Sequence, residues 1–255
     1  MAGGSDGLGA AFAWALARRK LNLLLVARRA DQLDITAGLI GQACGVEVKT
    51  LSLDLAEAGD LSELIRQARA LDVGLLVCNA ASAPLGDFLE VSAEQHRRVI
   101  DTNCRAAALL VHALGEKMAE RGRGGIILVS SMAGFQGTAL VAHYAATKAY
   151  LRVLAEGLWK ELGEKGVDVL ACCAGLTDTA TYRKTNPRPS GKWAGAPMDP
   201  EVVVDEALAA LGKGPVLVPG KRNRLAQTIM QRVMPKKLAI SIISAGTRAI
   251  YPKRT

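Results

Sequence analysis

Aromatic side chains are scarce: three Phe, three Trp and four Tyr in 255 residues. Nowhere do they interleave with basic residues as a base-stacking surface requires, so nucleic acid is not an expected partner. The five cysteines (Cys44, Cys78, Cys104, Cys172 and Cys173) show no metal-ligand spacing and are odd in number. They read as small buried hydrophobes of a reducing, cytoplasmic compartment, not as a metal site or a disulfide framework. No signal-peptide pattern is recognised, and the apolar runs are too short, or too often broken by charge, to span a bilayer. Acidic residues are absent after Glu206, whereas residues 207–255 hold ten Lys and Arg. The net charge of +8 therefore lies in the tail, and the rest of the chain is close to neutral. A basic tail can meet a membrane surface, nucleic acid or a phosphate-bearing substrate.

What is present is an Ala- and Gly-rich chain, half hydrophobic, of a length that suits one α/β domain. Its most informative stretch is Gly125–Lys148, GIILVSSMAGFQGTALVAHYAATK. It predicts a buried strand (Ile126–Val129), a Ser pair, a Gly-marked loop and a helix that carries Tyr144 and Lys148 and continues to about Gly163. Positions i and i+4 share a helix face, so the phenol and the ammonium are neighbours. A nearby cation lowers a phenol pKa from about 10 toward neutrality. Such a Tyr can exchange a proton with an alcohol oxygen that a Ser holds. A hydride carrier is still needed.

Residues 1–9, MAGGSDGLG, place Gly3, Gly7 and Gly9 before an Ala-rich helix (Ala10–Arg19). Glycines let a backbone approach a pyrophosphate, and a helix N-terminus offers free N–H groups. The strand expected before the glycines is absent. A strand over Leu21–Ala27 ends in Arg28 and Arg29. At that strand end an acid suits a free ribose 2′-hydroxyl and an Arg suits a 2′-phosphate. The pair therefore points to NADP; the alternative is that both open the next solvated helix. Asp31 and Asp34 compete as ribose binders, but fall inside that helix.

Strand–helix alternation continues: helix 30–43, strand Val46–Leu53 ending at Asp54, helix Leu61–Leu71, strand Val73–Cys78 ending in Asn79-Ala80-Ala81, and a long helix from about Ala93 to Arg121. Asn103 lies inside that helix among apolar neighbours, which suggests a buried polar task. After the Tyr144 helix come a strand over Val167–Cys173 and a Gly/Pro/Thr-rich segment (174–199) of lid-like length. A helix to Leu211 and a short strand over Pro215–Val218 close the pattern. The alternation indicates a doubly wound, Rossmann-like parallel sheet in three layers, in a single domain over 1–220. Residues 221–255 form a basic helical extension, with helices over Leu225–Met234 and Lys237–Ile250.

Gly-x-x-x-Gly-x-Gly, Asn-Ala, an in-helix Asn, the Ser pair and Tyr-x-x-x-Lys, in this order, resemble the short-chain dehydrogenase/reductase family over about residues 1–220. The resemblance implies that Asn103, Ser131, Tyr144 and Lys148 form the catalytic tetrad. Ser131 is preferred over Ser130 because it precedes Tyr144 by thirteen residues. Tyr144 would be the acid/base. Lys148 would lower its pKa and hold the nicotinamide ribose, and Ser131 would bind the substrate oxygen. Asn103 would hold a water that links Lys148 to solvent. Gly3, Ser5, Gly7, Leu8 and Gly9 match the pyrophosphate loop. Arg28 matches a basic residue of NADP-preferring members, Asp54 and Leu55 the adenine contacts, and Asn79-Ala80 the segment behind the adenosine ribose. Gly175 and Thr179 match a Gly and a carboxamide-binding Thr after the last long strand.

The chain departs from the family pattern at Ala81 (usually Gly), Cys78 (commonly Asn) and Ala174 (usually Pro). The absent first strand belongs mid-sheet in this fold, and its loss would expose two strand edges. We therefore expect the natural start to lie upstream of Met1. Substrate contacts are expected from Met132–Val141, His143 and 176–199, including Tyr182 and Trp193; for His143 a structural or solvent-facing role stays equally open. The surroundings are largely apolar apart from Arg183, Lys184, Arg188 and Lys192, which suggests a hydrophobic ketone, aldehyde or secondary alcohol. Epimerase or dehydratase chemistry on the same fold, or cofactor binding without turnover, are the alternatives. A homo-oligomer through the two long Ala- and Leu-rich helices is expected by resemblance. The tail helices either pack over the substrate pocket or a partner subunit, the favoured expectation, or dock peripherally on anionic lipid.

Overall fold

A computed structural model describes residues 1–185, 187 and 196–251. Strands β1 (Leu23–Ala27), β2 (Val48–Ser52), β3 (Leu75–Cys78), β4 (Gly124–Ser131), β5 (Val167–Ala174) and β6 (Val216–Leu217) are all parallel to their partners. Strand β1 pairs with β2, and the other four follow in the order β3-β4-β5-β6. Met1 and Ala2 lie between the two groups, where the absent strand was expected. Ala2 bridges both Val26 and Cys78, its N–H donating to Val77 O at 3.0 Å, and Val26 N donates to Met1 O at 3.0 Å.

Helices cover both faces, so β1, β3, β4 and β5 are largely buried and read as mostly apolar runs, whereas β2 (VKTLS) stays partly exposed. On β4, Ile126 and Leu128 enter one core while Ile127 and Val129 enter the other. Residues of this size each contribute about 1.5–3 kcal/mol on burial. The first core is closed by α3 (Ala58–Arg69), α5 (Ala106–Glu120) and α6 (Ala142–Gly163), the second by α1 (Gly7–Arg18), α2 (Ala30–Cys44) and α8 (Pro200–Ala210). Alternation also separates the adjacent cysteines: Cys173 faces the first core and Cys172 the second, both as free thiols.

The helix expected over 93–121 is interrupted. Helix α4 (Ala93–Ile100), opened by a Ser92/Gln95 capping box, passes into a π-helical turn over Asp101–Arg105 before α5 begins. Asn103 is inside that turn. Within 174–199, Thr177 bridges back to Met198, and a short helix α7 (Ala180–Lys184) forms. The C-terminal region holds α9 (Lys221–Thr228), a π-helical turn over Ile229–Val233, and α10 (Lys236–Ile250). No helix among the described residues is long and apolar enough to cross a membrane.

Candidate active site

The two serines at the end of β4 have different surroundings because strand side chains alternate. Ser130 is buried, and its Oγ donates to the main-chain carbonyl of Lys148 at 2.7 Å. Ser131 stays half-exposed, and its Oγ accepts from Ala133 N at 3.2 Å. Helix α6 carries Tyr144 near its start and brings the Lys148 Nζ to 5.4 Å from the Tyr144 ring centroid.

Burial dominates the electrostatics of this pair. It pushes the Tyr144 phenol up to about 12, with the nearby Ser131 hydroxyl opposing. The lowering expected from Lys148 is therefore not the net direction. Lys148 is itself pushed down to about 8 by burial, with nearby cysteines opposing. Its Nζ donates to Val129 O at 2.7 Å, which occupies one of three donor hydrogens.

Asn103 is buried. Its Oδ1 accepts from Ser82 N at 2.7 Å, and its Nδ2 donates to Ser82 O at 2.9 Å and to Thr147 Oγ1 at 3.0 Å. The π-helical turn thus presents an amide that ties the segment after β3 to α6. Both side-chain donors are spent on protein.

The glycine loop is closely packed. Gly3 has φ +86° and Gly7 φ +53°, the left-handed region that glycine enters freely. A Cβ on Gly9 would stand 1.7 Å from Gly3 O, and one on Gly3 would stand 2.7 Å from Ala80 N. Asn79 Nδ2 donates to Gly3 O at 2.8 Å, so Asn79 and Ala80 support the loop from below. Ser5 is buried, and Leu8 packs against the second core. Thr179 caps α7 through Tyr182 N (3.1 Å) and crowds Gly7: a Cβ there would lie 2.9 Å from its Cγ2. Gly175 meets α9, where a Cβ would lie 2.7 Å from Asn223 Nδ2.

At the far end, Arg28 is exposed beside β1. Asp54 pairs with Arg98, and its Oδ1 accepts from Ala56 N at 3.0 Å; burial opposes ionisation, but these contacts and the charge of Arg28 keep the carboxyl below its ordinary range. Leu55 turns into the first core. Asp31 and Asp34 lie within α2, and Asp34 takes the Thr50 hydroxyl at 2.8 Å.

Sequence reasoning missed Asp6, Arg98 and His96. Asp6 caps α1 through Gly7 N (2.6 Å) and pairs with Arg29 at 3.4 Å; an Asp just before the apolar run of a helix was the available signal. His96 Nδ1 lies 2.8 Å from His143 Nδ1, and its Nε2 lies 3.0 Å from Phe88 O. His143 therefore has a structural partner. Nothing in local spacing marked Arg98 or His96. Trp193, Arg188 and Lys192 lie outside the described residues.

A nicotinamide dinucleotide fits these residues. The glycine loop brings bare backbone to the N-terminus of α1, Lys148 has donors to spare, and Arg28 is exposed at the ribose end of β1. No group of His, Cys, Asp or Glu among the described residues is arranged to hold a metal.

A model of the short chain dehydrogenase family matches residues 1–190. The chain is 32% identical over 222 residues to a 7beta-hydroxysteroid dehydrogenase of Clostridium sardiniense, covering 87% of this chain and 85% of that one. A solved structure described by 7beta-hydroxysteroid dehydrogenase stereoselectivity superposes with TM-score 0.89 at 28% identity, covering 94% of each chain. A short-chain dehydrogenase from Sphingobium yanoikuyae in complex with NADPH gives 0.81 at 29% identity, covering 92% of this chain and 95% of that one. With a parallel sheet flanked by helices and a Ser-Tyr-Lys cluster at its C-terminal edge, the chain belongs to the short-chain dehydrogenase family of oxidoreductases.

Proposed function

We propose that this protein is an NADP(H)-dependent oxidoreductase acting on a hydrophobic ketone, aldehyde or secondary alcohol. The observation that carries the proposal is the Lys148 ammonium 5.4 Å from the Tyr144 ring, one helical turn on, with half-exposed Ser131 at the end of β4. The bound nicotinamide supplies or accepts the hydride. Ser131 holds the substrate oxygen by donating from its hydroxyl. Tyr144, neutral at physiological pH, gives its proton to that oxygen in reduction and takes it back in oxidation. Lys148 stabilises the phenolate that forms, an interaction stronger in the transition state than in the ground state. Its remaining donors face the cofactor ribose. Asn103 is a positioning residue that fixes α6 through Thr147.

Arg28, with Arg29 behind it, favours a 2′-phosphate over a free hydroxyl. Apolar Met132 and Phe135, beside Ser131, favour an apolar substrate, and the hydroxysteroid relative is named for a substrate of that character. The pair of homologous descriptions supports the alcohol/carbonyl direction over epimerisation or dehydration.

Tyr144→Phe should lower turnover of ketone with NADPH by about 10²–10⁴-fold or more while NADPH binding, followed by nucleotide fluorescence, stays nearly intact. Undiminished turnover would overturn the acid/base role.

The proposal extends to assembly and place. A groove of about 520 Å³ between α5 and α6, lined by Val111, Gly115, Leu158 and Leu162, adjoins exposed Val153 and Trp159 and suits a second copy of the chain. Free buried thiols suit a cytoplasmic compartment. Leu225, Ile229 and Val233 form an exposed apolar ridge flanked by Lys221, Arg222 and Arg232, which suits peripheral contact with anionic lipid. Light scattering and vesicle flotation test these two surfaces.

A further inference from the structure

The helix that carries Tyr144 starts without help from its own flank. Its N-cap, Val141, offers no side-chain acceptor to the first-turn N–H groups. Leu140, just before it, has φ +66°, a left-handed setting that a Leu keeps only where its surroundings hold it. Two contacts from other elements supply that hold. Gly86 N donates to Leu140 O at 3.0 Å. His143, the second residue of α6, meets His96 of α4, with the two Nδ1 atoms 2.8 Å apart.

The proton positions in this pair follow from a third partner. His96 Nε2 lies 3.0 Å from Phe88 O, and a carbonyl only accepts, so Nε2 carries a hydrogen. In the neutral His96 ring Nδ1 is then a lone pair, and His143 Nδ1 must be the donor. The Phe88 ring stacks on His96 with centroids 4.3 Å apart and meets His143 edge-on at 6.2 Å. Segment 86–88 therefore grips both Leu140 and His96, and the histidine pair closes the circuit onto the residue before Tyr144.

The number of protons decides whether the pair can hold. With one added proton, on either ring, one N–H still faces one lone pair. With two, both Nδ1 atoms carry hydrogen and two cations face each other, so the bond is lost. Burial and the charge of His96 hold the His143 imidazole below its ordinary range. The closed pair thus takes the second proton less readily than an open one, and acid favours opening. The charges around the pair have their own engagements. On α4, Arg97 pairs with Glu94 and Arg98 with Asp54. Asp87 and Glu90, on either side of Phe88 in the chain, each have an interaction of their own. On α6 the next ionisable groups are Tyr144 and Lys148.

We propose that His96 is a positioning residue for Tyr144: through His143 it fastens the start of the catalytic helix with none or one added proton and releases it on the second. The catalytic consequence rests on the carbonyl chemistry assigned to Tyr144; the fastening does not.

The test uses the full chain with His96→Asn, whose amide oxygen accepts from His143 but takes up no proton, and His96→Ala, which removes the acceptor. Amide hydrogen exchange is followed over residues 145–149, in the first hydrogen-bonded turn of α6, and reduction of 2-decalone by NADPH is measured from about pH 5 to about pH 8, the range in which histidine changes charge. In the wild type, protection of these amides should fall by about threefold to tenfold from the alkaline to the acid end, the worth of one hydrogen bond. In His96→Asn it should match the wild type at the alkaline end and stay level. In His96→Ala it should be low throughout. The value of kcat should follow protection, down by about tenfold in His96→Ala at the alkaline end, while NADPH affinity stays unchanged. Equal pH dependence of protection in wild type and His96→Asn, or wild-type protection in His96→Ala, would overturn the proposal. A kcat that does not follow protection would overturn the positioning role. Should His96→Ala fail to fold, the comparison of His96→Asn with wild type decides alone. A wild-type protein that binds NADPH but does not reduce 2-decalone would count against the carbonyl assignment, and the exchange data would still decide whether His96 fastens α6.

Discussion

Ser130 Oγ donates to the main-chain carbonyl of Lys148 at 2.7 Å, out of reach of solvent. The bond pins the Tyr144 helix to the end of β4 and gives the two adjacent serines separate tasks. Ser130→Ala should cost about 0.5–1.5 kcal/mol in urea unfolding, because it removes a buried hydrogen bond between β4 and α6. Ser131→Ala should leave stability nearly unchanged but lower kcat by about 10²–10³-fold, as loss of an oxygen-holding donor does elsewhere. The reverse pattern would exchange their roles.

Cofactor choice should respond to Arg28 and Asp6 in opposite directions. Arg28→Glu removes the exposed cation at the ribose end and should cut the preference for NADPH over NADH by about tenfold to a hundredfold, the scale of a charge-assisted hydrogen bond. Asp6→Ser keeps a good helix cap but releases Arg29 and deletes a carboxylate from the phosphate loop. NADPH binding should tighten by about two- to fivefold, as expected for freeing one exposed ion pair. Titration of nucleotide fluorescence checks both.

Burial lowers the Lys148 pKa to about 8 from its ordinary 10.5. Between those values the unfolded chain binds more protons than the folded one, so this group's contribution to stability rises with pH across that window. Below about pH 8 the cost of burying the charge is constant. Buried cysteines and Tyr144 titrate in the opposite sense at higher pH, so the informative quantity is a difference. The stability of Lys148→Met relative to wild type should fall as pH rises from 8 to 10.5. A pH-independent gap in denaturant midpoints would contradict the buried cation.

Gly134 lies directly against the main chain of Lys148: a Cβ there would stand 2.7 Å from Lys148 C and 2.9 Å from its carbonyl oxygen. Gly134→Ala must push α6 away from β4, at a cost of about 1–3 kcal/mol for overpacking. Because the displaced segment carries Tyr144 and Lys148, kcat should drop further than the loss of folded protein accounts for. Comparing active-site titration with thermal unfolding separates the two effects.

The parts of the site that lie at strand ends were legible because apolar runs mark strands and the residue after each run is placed by topology. Arg28 after β1, Asp54 after β2, Asn79 after β3 and Ser131 at the end of β4 all follow from that rule. Asn103 was legible as an anomaly, a polar residue among apolar helix neighbours, but not as part of a π-helical turn, since one extra residue in a turn has no compositional mark. The direction of the Tyr144 shift was misread because spacing shows the nearby cation and not the desolvation that outweighs it. Arg98 and His96 were invisible as site neighbours: each reaches its partner across elements distant in sequence, and only packing brings them together.

The π-helical turn at Asp101–Arg105 has a consequence for phase. One extra residue in a helix rotates everything after it by about 100° relative to an uninterrupted α-helix. The sequences before and after the turn are therefore written for two different rotational settings, with α4 carrying the capping box and charged flank and α5 carrying the Ala/Leu face of the core. Deleting a single residue there would restore an ideal helix and simultaneously turn one of those faces away from its partners, so in this helix greater regularity would mean less order.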